Sequence, residues 1–343
     1  MGADVATQGQ CVCGRGFYSV MTGLQEKFRI RRKAMPTQEE QLRETPVGIL
    51  AMNALDLVAP ACDLFVKYRK SKWIQLSGHE GSFFPAGLDT IWKKHVAGSH
   101  EAQAYKLIME EENMRDMVPT FHQELEYKGS HYIELTDLLH KFTDPCIMDI
   151  KMGCRTFLES EVKNPALRTD LYDKMVKLDA DEPTAEEHSN AAVTKLRYMQ
   201  FREMASSTST LSFRIEGIKL SGHEVVSNGN LKKVRSKDDV LKTMSEFLLG
   251  NSEVTTGLSV ELRKLRDNFE KSSFFSMHEV IGSSLLLIYD DTSVGVWMID
   301  LAKTAAISDA LEIDHRSPWI LGNHEDGYLH GLDNLIEIVD KCQ

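Results

Sequence analysis

The run Pro145-Cys-Ile-Met-Asp149-Ile-Lys151-Met-Gly153 constrains this chain most, because it sets a carboxylate and an ammonium two residues apart inside an apolar stretch. Side chains alternate across a strand, so an extended backbone sends Asp149 and Lys151 out of one face. Burying two such charges without partners is costly. The run therefore reads either as a surface ion pair beside a loop or as two groups reaching for one ligand.

A second signal lies far downstream. Gly282-Ser-Ser-Leu-Leu-Leu-Ile-Tyr289 reads as a buried strand, Asp290 to Gly295 as a polar turn, and Val296-Trp-Met-Ile-Asp300 as a return strand followed by Lys303-Thr304. Together they read as a β-hairpin that delivers Asp300 to a sheet edge. An acid at the end of an apolar strand is a hard oxygen ligand for a magnesium-phosphate site, and Asp149 can then orient or deprotonate a hydroxyl nucleophile. Alone, Asp300 reads more readily as a strand-terminating turn residue; the two acids with nearby lysines bring phosphoryl transfer level with that plainer reading.

A chain of 343 residues, 42% hydrophobic and 27% charged, can bury a full core and is expected to be soluble and to form two lobes. Cys11, Cys13, Cys62, Cys146, Cys154 and Cys342 show neither paired CxxC modules nor a secreted-domain spacing, which argues against zinc and a disulfide framework and suits a cytoplasmic location. No apolar stretch is long enough to cross a bilayer, and no secretory leader is recognisable. The net charge of -11 argues against a nucleic-acid surface but leaves room for a small basic cleft, with positive residues dense around Lys195, Arg197, Arg202, Arg214 and Lys219 and again at Lys232, Lys233 and Arg235.

Residues 1–60 read as an N-terminal arm, largely disordered, and 61–73 as an apolar and basic segment that suits either packing or an acidic regulatory partner. Residues 74–343 read as the catalytic domain. Within it, Trp73-Ile-Gln-Leu76, the stretch from Gly78 to Phe84 and the stretch from Thr90 to Val96 read as strands, the last offering Lys93 or Lys94 to a phosphate. Residues 100–115 read as a helix, and 132–139 as a strand entering a turn. Residues 155–205 read as three helices, 156–163, 167–177 and one from about Ala185 through Arg202, with a Thr184/Glu187 capping box. Lys195, Tyr198 and Arg202 fall on one face of the third, suited to phosphates or to ordinary salt-bridged solvation.

These motifs resemble those of the inositol polyphosphate kinases. The 145–153 run looks like their PxxxDxKxG signature, and Ser283-Ser284-Leu285-Leu286 with Ile299-Asp300 like their SSLL and ID motifs. The blocks beginning at Trp73, Thr194, Phe213 and Gly322 are most similar to inositol 1,4,5-trisphosphate 3-kinases. The resemblance implies an α+β, two-lobed kinase fold related to protein kinases and ATP-grasp enzymes, with 155–205 as a helical inositol-binding insertion. It implies ATP and Mg²⁺ as cofactors, inositol 1,4,5-trisphosphate as substrate and its 1,3,4,5-tetrakisphosphate as product. By resemblance Lys93 contacts ATP phosphates, Glu134, Leu135 and Asp137 lie at the adenine edge, and Asp300 ligates the metal. Asp149 is then the base or orienting carboxylate, Lys151 touches substrate and the transferring group, and Lys195, Tyr198, Arg202 and Lys219 hold ring phosphates. Calcium-calmodulin is implied as a partner of 61–73 by position and basic character. Leu301-Ala302 departs from the usual Phe-Gly after the metal aspartate, and Leu196 from a usual Pro; neither removes an assigned charge. A broad multikinase would have a shorter insertion, and a non-catalytic scaffold would lack Asp149, Lys151 or Asp300. A protein kinase is disfavoured because neither His-Arg-Asp nor Asp-Phe-Gly occurs.

Overall fold

Aromatic and β-branched runs separated by turn residues build the first sheet. The computed structural model describes residues 83–87, 89–95, 99–223, 226–227, 231 and 234–343, all within the unit Trp73–Gln343. Strands β1 (Phe83–Pro85), β2 (Thr90–His95), β3 (Phe121–Tyr127) and β4 (Ser130–Thr136) form a four-stranded antiparallel sheet in the order β1-β2-β4-β3, with helix α1 (Glu101–Glu110) between β2 and β3. The expectations for the N-terminal arm, the basic 61–73 segment, the strand at 73–76, the glycine turn from Gly78 and the basic pair Lys232/Lys233 lie outside the described residues.

β5 (Cys146–Met152) is the centre of a second sheet. Next come α2 (Glu159–Val162), β6 (Leu167–Arg168), α3 (Thr169–Leu178), α4 (Ala185–Asn190), β7 (Val193–Thr194), α5 (Lys195–Met204) and α6 (Thr208–Leu211). β8 (Phe213–Lys219) and β9 (Val226–Ser227) return to the sheet, followed by α7 (Lys237–Leu248) and α8 (Ser252–Glu270). β10 (His278–Ile281), β11 (Ser284–Tyr289), β12 (Val294–Ile299), β13 (Lys303–Ala306) and α9 (Tyr328–Asp340) complete the described chain. The second sheet has the order β12-β11-β5-β8-β9, so the expected hairpin is present and its return strand lies at the edge.

One face of this sheet carries Met148, Ile150, Leu285, Leu287, Val296 and Met298, all buried in a core shared with α7, α8 and α9. Each such side chain contributes roughly 1.5–3 kcal/mol on burial. α9 comes close enough that a Cβ on Gly331 would sit 2.3 Å from the Ser212 carbonyl oxygen, so glycine is required there. The opposite face holds Ile147 and Ile288, with Leu138, Leu139, Phe142, Leu286 and Trp297 packed beside them. Asp149 and Lys151 project from this second face, as period two demands.

The insertion between β5 and β8 has its own small core of Leu171, Met175, Val193, Tyr198 and Phe201. Two of its expected helices are corrected. The first shrinks to α2, because the Thr156 amide and hydroxyl both donate to Glu203, at 3.1 and 2.7 Å, and hold that stretch off the helix path. The third is two helices: Ala191 turns left-handed at φ 46°, Val193 and Thr194 pair with Leu167 and Arg168, and the Thr194 hydroxyl caps α5 by accepting the Arg197 amide at 3.1 Å. The second begins two residues late, since Leu167 and Arg168 are drawn into that ladder. The Thr184/Glu187 capping box forms as read.

Candidate active site

Register brings the charged residues together. Asp149 lies opposite Leu286 on β11 and Gly217 on β8, and a bulge follows at once, where Glu216 is the extra residue before Ile150 pairs with Ile215. Such bulges re-aim neighbouring side chains. Lys151 lies opposite Ser284, which in turn lies opposite Ile299, the residue before Asp300. Asp300 itself has φ 63°, a left-handed turn that aspartate tolerates better than most residues. Its carboxylate accepts Lys93 Nζ at 2.6 Å and sits 3.8 Å from Lys151 Nζ. Lys151 also donates to the Gly282 carbonyl at 2.9 Å.

Lys93 reaches this point from β2, in the other sheet, and pairs there with Glu101 in the first turn of α1 as well. Lys94 is exposed, so the choice left open between the two lysines falls on Lys93. Burial pulls the Lys93 ammonium down, but the charges of Asp300 and then Glu101 override it and hold it well above the usual lysine range. Burial likewise pushes the Asp300 carboxyl up, and Lys93 and Lys151 outweigh that and lower it. Two ammonium and two carboxylate groups are thus gathered from β2, α1, β5 and the end of β12.

The 134–137 segment falls at the end of β4, on the way to β5. Its side chains are engaged within the protein. Glu134 accepts the Thr90 hydroxyl at 2.8 Å and Gln123 Nε2 at 2.6 Å, Leu135 is buried in the main core, and Asp137 accepts the Leu139 amide at 3.0 Å. What the structure adds is the half-buried apolar surface of Leu138, Leu139, Phe142, Leu286 and Trp297, on the same sheet face as Asp149 and Lys151.

On the insertion, Lys195 Nζ donates to Glu161 at 2.9 Å, and Arg202 Nη1 contacts the Tyr198 hydroxyl at 3.4 Å. Tyr198 is buried in the insertion core, whereas Arg202 is exposed and lines a cleft of about 250 Å³ with Phe201, Met204, Arg214 and Arg235. Leu196 lies in the first turn of α5, whose start the Thr194 side chain caps. Leu301 fills a fully buried slot in the main core. Lys219 is not brought to the cluster. Its buried ammonium donates to Asp144 at 2.7 Å and to the Pro145 and Leu220 carbonyls, at the end of β5 opposite to Lys151. The Lys219 hydrogen bond, followed by those from the Gly222 amide and the Ser221 hydroxyl, lowers the Asp144 carboxyl to about 2. Glu101 and Glu161 were not singled out from sequence, and the one local clue was an acid eight residues beyond the strand lysine.

Divalent-cation fit rests on Asp300 and two buried hydroxyls, Ser283 and Ser284, that find no acceptor or donor in the protein. No cluster of three or more His, Cys, Asp or Glu suited to a metal occurs among the described residues. Hard oxygen donors few in number suit a divalent cation that takes its remaining oxygen ligands from elsewhere.

The profile of the inositol polyphosphate kinase family matches residues 132–340, which include β5, the insertion and the Asp300 hairpin. This chain belongs to the inositol polyphosphate kinase family. Within the family it is 47% identical over 302 residues to a Caenorhabditis elegans inositol-trisphosphate 3-kinase homolog, covering 87% of this chain and 60% of that one. It is 46% identical to rat inositol-trisphosphate 3-kinase A, covering 79% and 59%. An Arabidopsis thaliana inositol polyphosphate multikinase alpha is 23% identical over 190 residues, 53% and 61% of the two chains. The chain thus spans about three fifths of the length of the 3-kinases it matches best among these. No described helix of this family member is long and apolar enough to cross a membrane.

Proposed function

We propose that this chain transfers the γ-phosphoryl group of ATP to the 3-hydroxyl of inositol 1,4,5-trisphosphate. The observation that carries the proposal is the meeting of Lys151 with the Lys93–Asp300 pair, with Asp149 two residues before Lys151 on the same face of β5. The two sheets act as two kinase lobes around the nucleotide. The apolar face at Leu286 and Trp297 receives the base, and Lys93, kept charged by Asp300 and Glu101, holds the phosphates. The proximity of 3-kinase relatives in sequence supports the choice of acceptor.

In the transfer, the acceptor hydroxyl oxygen bonds to the γ-phosphorus as the bond to the bridging oxygen of ADP breaks, and Asp149 accepts the hydroxyl proton. Lys151 offsets charge on the transferring oxygens, where such electrostatic help matters most. Asp300, with Ser283 or Ser284, would hold Mg²⁺, which would supply further neutralisation of phosphate charge. Purified protein given ATP, Mg²⁺ and a panel of inositol phosphates should convert the 1,4,5-trisphosphate to the 1,3,4,5-tetrakisphosphate. Comparable turnover of several isomers would replace this reading with a multikinase, and tight binding without turnover would replace it with a scaffold.

Glu101→Gln tests the lysine's role. It leaves Lys93 one anion instead of two, and hydrogen bonds to charged groups contribute roughly 1.5–3 kcal/mol. We expect kcat/KM for ATP to fall about 10- to 100-fold in steady-state assays; a change under about threefold would remove Glu101 from the site.

A further inference from the structure

We propose that Glu203 is a positioning residue for the transfer, fixing α5 against β5 and β8 so that the 3-hydroxyl of the ring, rather than another free hydroxyl, is presented beside Lys151. This rests on the phosphotransferase reading above and extends it from which acceptor is used to which of its hydroxyls is reached. Glu203 lies in the last turn of α5, directly after Arg202. Its side chain is buried and joins three segments. Oε1 accepts the Thr156 amide at 3.1 Å and the Thr156 hydroxyl at 2.7 Å, just beyond the end of β5. Oε2 accepts Arg214 Nη1 at 3.3 Å, from β8. Arg214 stands opposite Lys151 in the β5–β8 ladder.

The cost of this charge sets Glu203 apart from an ordinary brace. Burial pushes its carboxyl up, and Arg214, Thr156 and Arg202 offset that only in part. A neutral amide of the same shape would suit the fold at least as well, because the two Thr156 donors need only an oxygen to accept them. Arg214 does not depend on Glu203 either, since Nε donates to Glu216 at 2.8 Å and Nη1 to the Thr208 hydroxyl at 3.2 Å. The negative charge therefore serves something besides folding.

What it serves is the pair of guanidinium groups beside it. Arg202 and Arg214 line one cleft, and like charges brought together repel. Glu203 is bonded to the one, follows the other in the chain, and its charge acts on both. Without that charge the end of α5 is pushed away from β8, and Lys195, Tyr198 and Arg202 move with it because they ride on one helix. The ring held by that face then shifts against Lys151. Misplacement of about an ångström costs on the order of 10²-fold in rate and brings a different hydroxyl into line.

The test uses the full chain and resolves the product isomers. Glu203→Gln should lower kcat/KM for the 1,4,5-trisphosphate about 10- to 100-fold while KM for ATP moves less than about threefold. The melting temperature should hold or rise, and products carrying the new phosphate on the 2- or 6-hydroxyl should accompany the 3-phosphorylated one. Adding Arg214→Gln to Glu203→Gln should lower kcat/KM no further, since both changes cut the same link. A sole 3-phosphorylated product, additive losses in the double variant, or a parallel rise in KM for ATP would reduce Glu203 to a structural brace and overturn the proposal. Absence of turnover by the unaltered protein would instead overturn the function reading and this inference with it.

Discussion

Asp149→Asn should lower kcat for trisphosphate phosphorylation by about 10²–10⁴, the usual contribution of a positioned general base. The substitution keeps size and shape beside Leu286 and Gly217, so no cavity opens in the sheet. It removes the acceptor for the hydroxyl proton but leaves Lys93, Lys151 and Asp300 in place. KM for either substrate should change little, and the melting temperature should hold or rise, because a carboxylate that is 2% exposed is replaced by a neutral amide. Single-turnover assays with radiolabelled ATP would measure the chemical step directly. A kcat within tenfold of the unaltered protein would remove Asp149 from proton transfer and leave it an orienting group at most.

Arg155→Met should cost about 3–5 kcal/mol of stability, the range seen when one partner of a buried ion pair is removed. The guanidinium is 1% exposed and donates to Glu325 O at 2.9 Å, Phe157 O at 2.7 Å, His324 O at 2.9 Å and Glu279 Oε2 at 2.5 Å. It also lies over the Trp319 ring. One side chain thus ties the start of the insertion to β10 and to the loop before α9. Methionine fills much of the volume but leaves the buried Glu279 carboxylate and three carbonyls short of a donor. Lysine should rescue only in part, since it cannot reproduce the planar fork. Urea unfolding followed by circular dichroism measures the loss, and a shift below about 1 kcal/mol would show that water or rearrangement replaces the guanidinium.

Glycine at two positions shows how the 145–153 motif acts beyond its charges. Gly153 has φ 96°, and a Cβ there would lie 2.9 Å from the Asp326 carbonyl oxygen, which accepts the Cys154 amide at 2.7 Å. Gly331 permits the contact of α9 with Ser212. Both keep the inner end of β5 fixed against the C-terminal helix, so Lys151 is presented from a rigid strand.

Local pattern was enough for what period and turn chemistry decide. Alternation put Asp149 and Lys151 on one face, the 282–300 stretch announced a hairpin ending in Asp300, and Thr184 with Glu187 announced a helix start. The same reasoning failed where long-range contacts outvote propensity, as when Glu203 draws Thr156 away from a helix or the β6–β7 ladder splits the third one. Charges were the least legible, since a lysine's partner is chosen by packing: Lys93 meets an aspartate 207 residues away, and Lys219 an aspartate 75 residues away. The sequence by itself determined which strands carry acids and lysines and to which family they belong. Only the tertiary structure decided which of those charges converge, because ion pairing acts through space over a few ångströms and leaves no period along the chain.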